Sequence, residues 1–290
     1  MELSFLKNES KRIRVILMSD IHYCNEGEGY GVTPEIKRKM LCADLEREQK
    51  QDPYGALLLL GDYSLDHWVW HTKGSYLTQG VSNTKRFVEH CLPRMAPQGV
   101  DVRMIAGNHE QYGEALWTEL TGFSRSDHIV CGAVLFILLD TFGGNLDPVE
   151  HSDGTYIGAN VAGIHEMMSR YPDKKVVLCA HWFDMEKESE EFRTLLLQEE
   201  RIVCLFCGHN HTSRVASTGA ECGNKPLVYT GHYSYSGEGN PIHCLNGYRE
   251  VLITDTGITS KYIVPSHTYT MGNVKFTTEY AQQDDVEISF

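Results

Sequence analysis

The residues best suited to chemistry fall in five short motifs: Asp20-Ile21-His22, Gly61-Asp62, Gly107-Asn108-His109-Glu110, an isolated His181 and Gly208-His209-Asn210-His211. Carboxylate, amide and imidazole groups offer oxygen and nitrogen donors without thiolate, a set that suits Mn, Fe, Zn, Co or Ni. Gathered in one place they would hold two divalent ions, and a close pair of ions serves displacement at phosphorus. Asp62 can reach both ions, because each carboxylate oxygen can take one, and Gly61 before it lets the ions approach the backbone. Asp20 and His22 point to the same side of an extended chain and can grip one ion. His209 and His211 share that spacing in a loop, where they can serve different ions. Asn108 offers a carbonyl oxygen and His181 a nitrogen. His109, beside a proposed ligand, is placed to face substrate without binding metal.

A lone Asp-x-His or Gly-Asp pair arises often by chance, and Gly107-Asn108 alone reads as a turn. The weight lies in five motifs in order, four of which directly follow an apolar, β-branched-rich run. Their side chains are expected to converge at the carboxyl ends of neighbouring strands, where open α/β sheets place their ligands.

The positioning elements alternate. Ile13 to Ser19 reads as a strand. Thr33 is a helix cap before Pro34, and that helix runs to about Lys50. Ala56 to Leu60 reads as a strand buried on both faces. A helix from about Asn83 to Met95 leads to a strand from Val102 to Ala106. A short helix around Ala115 to Leu120 precedes a hairpin, Ile129 to Leu139. Helices are expected over Gly163 to Tyr171 and Glu186 to Gln198. Strands are expected over Val176 to Ala180, Ile202 to Phe206, Leu227 to Thr230, Val251 to Thr254 and Lys261 to Val264. This order predicts one α/β domain over residues 1–290, with a mixed sheet or two stacked sheets. From about Ser266 the chain turns polar and reads as a flap, an edge hairpin or a partly disordered tail.

The net charge of −13 over 290 residues, without a basic stripe, argues against duplex nucleic acid and against an anionic membrane surface. No apolar run approaches a membrane span, and no signal peptide is evident. Nine scattered cysteines, several inside apolar strands, point to free thiols and a reduced, cytoplasmic setting. Cys204-Leu205-Phe206-Cys207 lies in a strand pattern with no second CxxC to complete a zinc site, so it reads as packing. Cys24, close to His22, also reads as packing.

The motif series resembles that of the calcineurin-like metallophosphoesterases, and most closely the signature of the class III cyclic-nucleotide phosphodiesterase branch, over roughly residues 12 to 232. The resemblance implies a four-layered α/β/β/α sandwich of two stacked mixed sheets with the metals at the sheet edge. It also implies a ligand set: Asp20, His22, Asp62 and His211 for a first metal, and Asp62, Asn108, His181 and His209 for a second. His109 would protonate the leaving oxygen, while a hydroxide bridging the two ions attacks phosphorus in line. Departures from subfamily patterns narrow the choice. Purple acid phosphatases replace the first histidine and place a tyrosine shortly after Gly-Asp, whereas here His22 is present and Leu65 stands where that tyrosine is expected. Ser/Thr protein phosphatases and dinucleoside-tetraphosphate hydrolases follow Gly-Asp with Asp-Arg-Gly, and the run here carries no arginine.

The expected substrate is therefore a small phosphodiester or nucleotide-type phosphate ester, with a phosphomonoesterase of the same superfamily as the alternative. In Asp66-His67-Trp68-Val69-Trp70-His71, Trp68 or Trp70 could stack on a flat group and His67 or His71 touch phosphate, or the aromatics pack the loop. The weak likeness of this segment to sphingomyelinase-like members differs in residue order. His232, after Gly231, is a candidate for the rim. A reading of another class, a scaffold that has lost its metals, is opposed by a complete ligand set.

Overall fold

A computed structural model of the chain describes residues 12–23, 34–66, 82–144, 154–234, 246–265, 269–271, 274–276 and 285–290. Two six-stranded mixed sheets stack face to face. The first is built from β1 (Ile13–Met18), β2 (Ala56–Leu60), β3 (Asp101–Ile105), β10 (Tyr248–Thr254), β11 (Gly257–Ile263) and β14 (Val286–Ser289), in the order β14-β11-β10-β1-β2-β3. The second holds β4 (Asp127–Cys131), β5 (Val134–Leu139), β6 (Lys175–Ala180), β7 (Ile202–Cys207), β8 (Ser213–Ser217) and β9 (Pro226–Thr230), in the order β4-β5-β6-β7-β9-β8. β1-β2-β3 and β5-β6-β7 run parallel within their sheets.

Continuous apolar strands make this stacking possible, because alternate residues feed different layers. Val15 and Leu17 of β1 pack between the sheets with Leu58, Phe136, Val177 and Phe206. Ile16 and Met18 face the other way, against Met40, Leu41 and Leu45 of α1 (Pro34–Gln51) and Phe87 of α2 (Asn83–His90). On the second sheet Leu135, Leu178 and Leu205 face Ile164 of α5 (Val161–Arg170) and Phe192 of α6 (Glu190–Gln198). The result is the expected α/β/β/α layering. No described helix is long and apolar enough to cross a membrane.

Local chemistry moves several element boundaries. The helix expected from Asn83 to Met95 breaks at Cys91 into α2 and the short α3 (Leu92–Met95), because Pro93 has no N–H to continue the ladder. α4 spans Glu114–Thr121 and ends on Gly122 at φ 79°. α6 starts at Glu190 and not Glu186, since the Ser189 hydroxyl caps it by accepting from the Phe192 N–H. β8 was not anticipated, for its Ser-Arg-Val-Ala-Ser run is polar and edge-placed. β10 and β11 extend to meet at a turn over Asp255 and Thr256. Beyond them, β12 (Tyr269–Met271) pairs with β13 (Val274–Phe276), and β14 pairs antiparallel with β11. The seven described cysteines are free and buried, Cys204 and Cys207 among them. Thr33 and Cys24 lie outside the described residues.

Candidate metal centre

The carboxyl ends of β1, β2 and β3 in one sheet and of β6 and β7 in the other open at the same edge of the sandwich. The loops leaving them are bent in an unusual way. Of six described non-glycine residues with positive φ, five are candidate ligands: Asp20 (53°), His22 (48°), Asp62 (57°), His209 (67°) and His211 (52°). Left-handed backbone disfavours L-residues, so such a concentration points to a functional constraint. Asp20 and His22 therefore converge through two left-handed turns, not along the extended chain their spacing suggests. Hydrogen bonds hold that path: the Asp20 N–H donates to Gly61 O (3.0 Å), and those of Ile21 and His22 to Asp62 O (2.8 and 2.9 Å).

Two donor groups result, and a third set at their junction, His22, Asp62 and His109, is also close enough to hold an ion. His211 Nε2 lies 3.1 Å from Asp20 Oδ1 and 3.1 Å from His22 Nε2. In the second group, Asn108 Oδ1 lies 2.8 Å from His181 Nε2 and 3.0 Å from His209 Nδ1. The two nitrogens are 3.3 Å apart. Asp62 joins the groups through one oxygen. Its Oδ2 is 3.3 Å from His181 Nε2 and 3.7 Å from His22 Nε2. Its Oδ1 accepts the His109 backbone N–H at 3.0 Å. The expectation that each oxygen takes one ion is thus revised to a single oxygen turned toward both groups. The His109 ring stands beside this junction, with Nε2 3.7 Å from Asp62 Oδ2.

The donors fit cations. Asp20, His22, Asp62, Asn108 and His181 are all buried, and every described ion-pair partner of Asp20 and Asp62 is a histidine. Burial pushes His22 down to about 3, and burial with the neighbouring His181 pushes His209 down to about 4. His181 goes the other way: burial lowers it, but the Asp62 carboxylate lifts it to about 9. Burial would raise Asp62, yet the His181 and His109 imidazoles hold it well below the usual carboxylate range. Imidazole nitrogens this close face buried carboxylate oxygens, and a bound cation would take the place of the proton that Asp62 favours on His181. Divalent ions accepting nitrogen and oxygen would satisfy these donors.

Glycines and a hidden carboxylate make the approach possible. A Cβ on Gly61 would sit 2.6 Å from the Gly107 Cα and 2.7 Å from His181 Nδ1, so its bareness admits the neighbouring loops. A Cβ on Gly107 would collide with the Asp62 carboxylate, and one on Gly208 with Ser19 and Asp20. Glu110, buried beneath the loops, accepts the N–H groups of Asp62 (2.7 Å), Gly107 (2.9 Å) and Ser64 (3.0 Å). Burial and the nearby Asp62 charge push Glu110 up to about 8. Arg125 donates to Glu110 O at 3.0 Å and binds Asp140 through two nitrogens. Asp66 accepts the N–H groups of Asn83 (2.9 Å) and Thr84 (3.0 Å), tying the loop after β2 to the start of α2.

Sequence reasoning assigned no role to Glu110, Asp66 or Arg125. Glu110 was visible as the last residue of its motif, but a carboxylate serving backbone donors carries no spacing signal. His232 is buried and not at the rim, its ring centroid 5.6 Å from that of His211. His67, Trp68, Trp70 and His71 lie outside the described residues.

Two stacked mixed sheets with histidine, carboxylate and amide donors at their joint edge define a metallophosphoesterase fold. Residues 13–213 match the family model for calcineurin-like phosphoesterase, and the chain belongs to that family. Among solved structures it is similar to a dimetal phosphatase from Danio rerio, at 11% identity and a TM-score of 0.64, covering 96% of this chain and 99% of that one. A purple acid phosphatase from yellow lupin, Lupinus luteus, matches at 11% identity and a TM-score of 0.57, covering 97% of this chain and 54% of that one. GAP50, the anchor in the inner membrane complex of Plasmodium, matches at 10% identity and 0.52, covering 96% and 89%. No curated protein matches the chain.

Proposed function

We propose that this protein is a dinuclear metal-dependent phosphoesterase acting on a small phosphodiester or nucleotide-type phosphate ester. The observation that carries the reading is the meeting of two donor groups at Asp62 Oδ2. Asp20, His22, Asp62 and His211 would hold the first ion, and Asp62, Asn108, His181 and His209 the second. When bound, the pair lowers the pKa of a coordinated water and neutralises charge developing on phosphoryl oxygens. The Asp62 carboxylate sets the position of both ions, and the His109 N–H fixes that carboxylate in turn. His109 Nε2 is the proton donor to the leaving oxygen, held at the junction without a place in either ligand set.

Two observations favour a diester. The motif series resembles that of the class III cyclic-nucleotide phosphodiesterase branch. The segment after Asp62 has no arginine to clamp a monoester dianion: Leu65 is buried and Asp66 is committed to capping α2. The chain's charge of −13 disfavours long polyanions and anionic membranes. The buried thiols suit a cytoplasmic setting. Leu65 also separates the chain from the purple acid phosphatase pattern, and the complete donor set separates it from a metal-free scaffold.

The test is a panel assay with Mn²⁺ comparing bis-p-nitrophenyl phosphate, p-nitrophenyl phosphate, cyclic nucleotides and a phosphopeptide. A higher kcat/KM for the diesters is expected. A clear preference for the monoester or the phosphopeptide overturns the substrate class and leaves the metal centre intact.

A further inference from the structure

The histidines of the second donor group are oriented by different means. His181 donates from Nδ1 to Leu60 O at 2.8 Å, which fixes its tautomer and aims Nε2 into the centre. His209 presents Nδ1 instead, and among the described residues its Nε2 makes no hydrogen bond. Its ring lies on Trp182, with centroids 4.4 Å apart and planes 27° from parallel.

Trp182 is itself held from several sides. Its carbonyl accepts from the Thr141 hydroxyl at 3.1 Å. Tyr156 meets the indole edge-on at 5.3 Å, and its own hydroxyl donates to Glu188. Phe142 lies 6.4 Å from the indole and 6.2 Å from His209. Lys187 Nζ sits 5.2 Å from the indole centroid, a cation–π contact. The indole is thus a fixed surface that holds the plane of the imidazole stacked on it, while the Asn108 oxygen, 3.0 Å from Nδ1, selects the flip that presents that nitrogen.

We infer that Trp182 is the positioning residue of His209, its stacked indole fixing the plane of that ring where His181 is held by a hydrogen bond to the Leu60 carbonyl. This rests on the two-metal reading above. Trp182 acts through His209 and does not touch substrate, so its loss weakens the second ion selectively. Orienting partners of metal-bound histidines typically contribute about 10- to 100-fold in metal affinity.

The experiment is calorimetric titration of Mn²⁺ into metal-free wild type, Trp182→Phe and Trp182→Leu, with circular dichroism to confirm folding and activity measured at low and saturating Mn²⁺. Phenylalanine keeps a stacking face, and leucine fills space without one. Wild type and Trp182→Phe should take up two ions with similar affinities. Trp182→Leu should bind the first ion normally and the second on the order of 10-fold more weakly, with kcat recovering at saturating Mn²⁺ and KM unchanged. Two variants that both match wild type, or that both lose the second ion equally, overturn the inference, as does a KM increase that Mn²⁺ cannot reverse. Wild type binding fewer than two ions instead refutes the metal reading itself.

Discussion

The two halves of the centre reach similar geometry by different routes. Asp20, His22 and His211 are all set by left-handed backbone. The loop carrying the first two is laced to the Gly61-Asp62 backbone by three N–H···O bonds. In the other half, Asn108 and His181 leave β3 and β6 without positive φ. They are aimed by contacts of their side chains, the Leu60 carbonyl for His181 and the facing imidazoles for Asn108 Oδ1, and only His209 combines a left-handed backbone (φ 67°) with such a contact, the Trp182 ring. A donor placed by main chain is insulated from what its side chain packs against. A donor placed by side-chain contacts inherits the sensitivity of every neighbour. The first ion site should therefore tolerate changes around it, and the second should be tuned by them.

The largest effect should come from removing what the halves share. Asp62→Ala is expected to abolish binding of both ions. Activity should drop beyond about 10³-fold, since two-metal charge stabilisation contributes several kcal/mol; metal content and kcat measured together check it. Retention of one full ion would mean that the halves are independent. Next, His109→Ala should leave both ions in place and lower kcat by about 10²- to 10⁴-fold. The loss should be most severe for substrates with poor leaving groups. Equal losses for good and poor leaving groups argue against proton donation.

Asn108→Ala should separate the halves, weakening the second ion and sparing the first, with a loss of about 10-fold or more in affinity read by Mn²⁺ titration. A matched weakening of both ions would erase the distinction. The smallest effect is expected at Glu110. Glutamine there keeps one acceptor oxygen for three backbone donors, so Glu110→Gln should destabilise the fold by about 1–3 kcal/mol. A lower Tm with two ions still bound would check it. Full loss of metal would show that the buried carboxylate does more than tie loops together.

The candidate donors were legible because each polar motif interrupts or ends an apolar strand, and strand ends in a layered α/β fold converge. The layering was legible from runs such as Ala56–Leu60, apolar at every position because both faces are covered. The geometry inside the loops was not. Asp-x-His spacing is compatible with an extended chain, and nothing in the residue types announces that Asp20 and His22 both adopt positive φ. Asp62 as a one-oxygen junction depends on the His109 N–H occupying the other oxygen, a contact that appears only once two loops have met. Trp182, Glu110 and Asp66 escaped for a related reason: they serve backbone groups or another side chain, and such partnerships have no fixed separation in sequence. The break between α2 and α3, by contrast, could have been read from Pro93.

The central claim is that this chain holds two metal ions in one centre joined by Asp62. The most direct measurement is elemental analysis of the purified protein after Mn²⁺ loading and removal of free metal. Two ions per chain are predicted for wild type and essentially none for Asp62→Ala. At most a trace of metal in the wild-type protein would contradict the account.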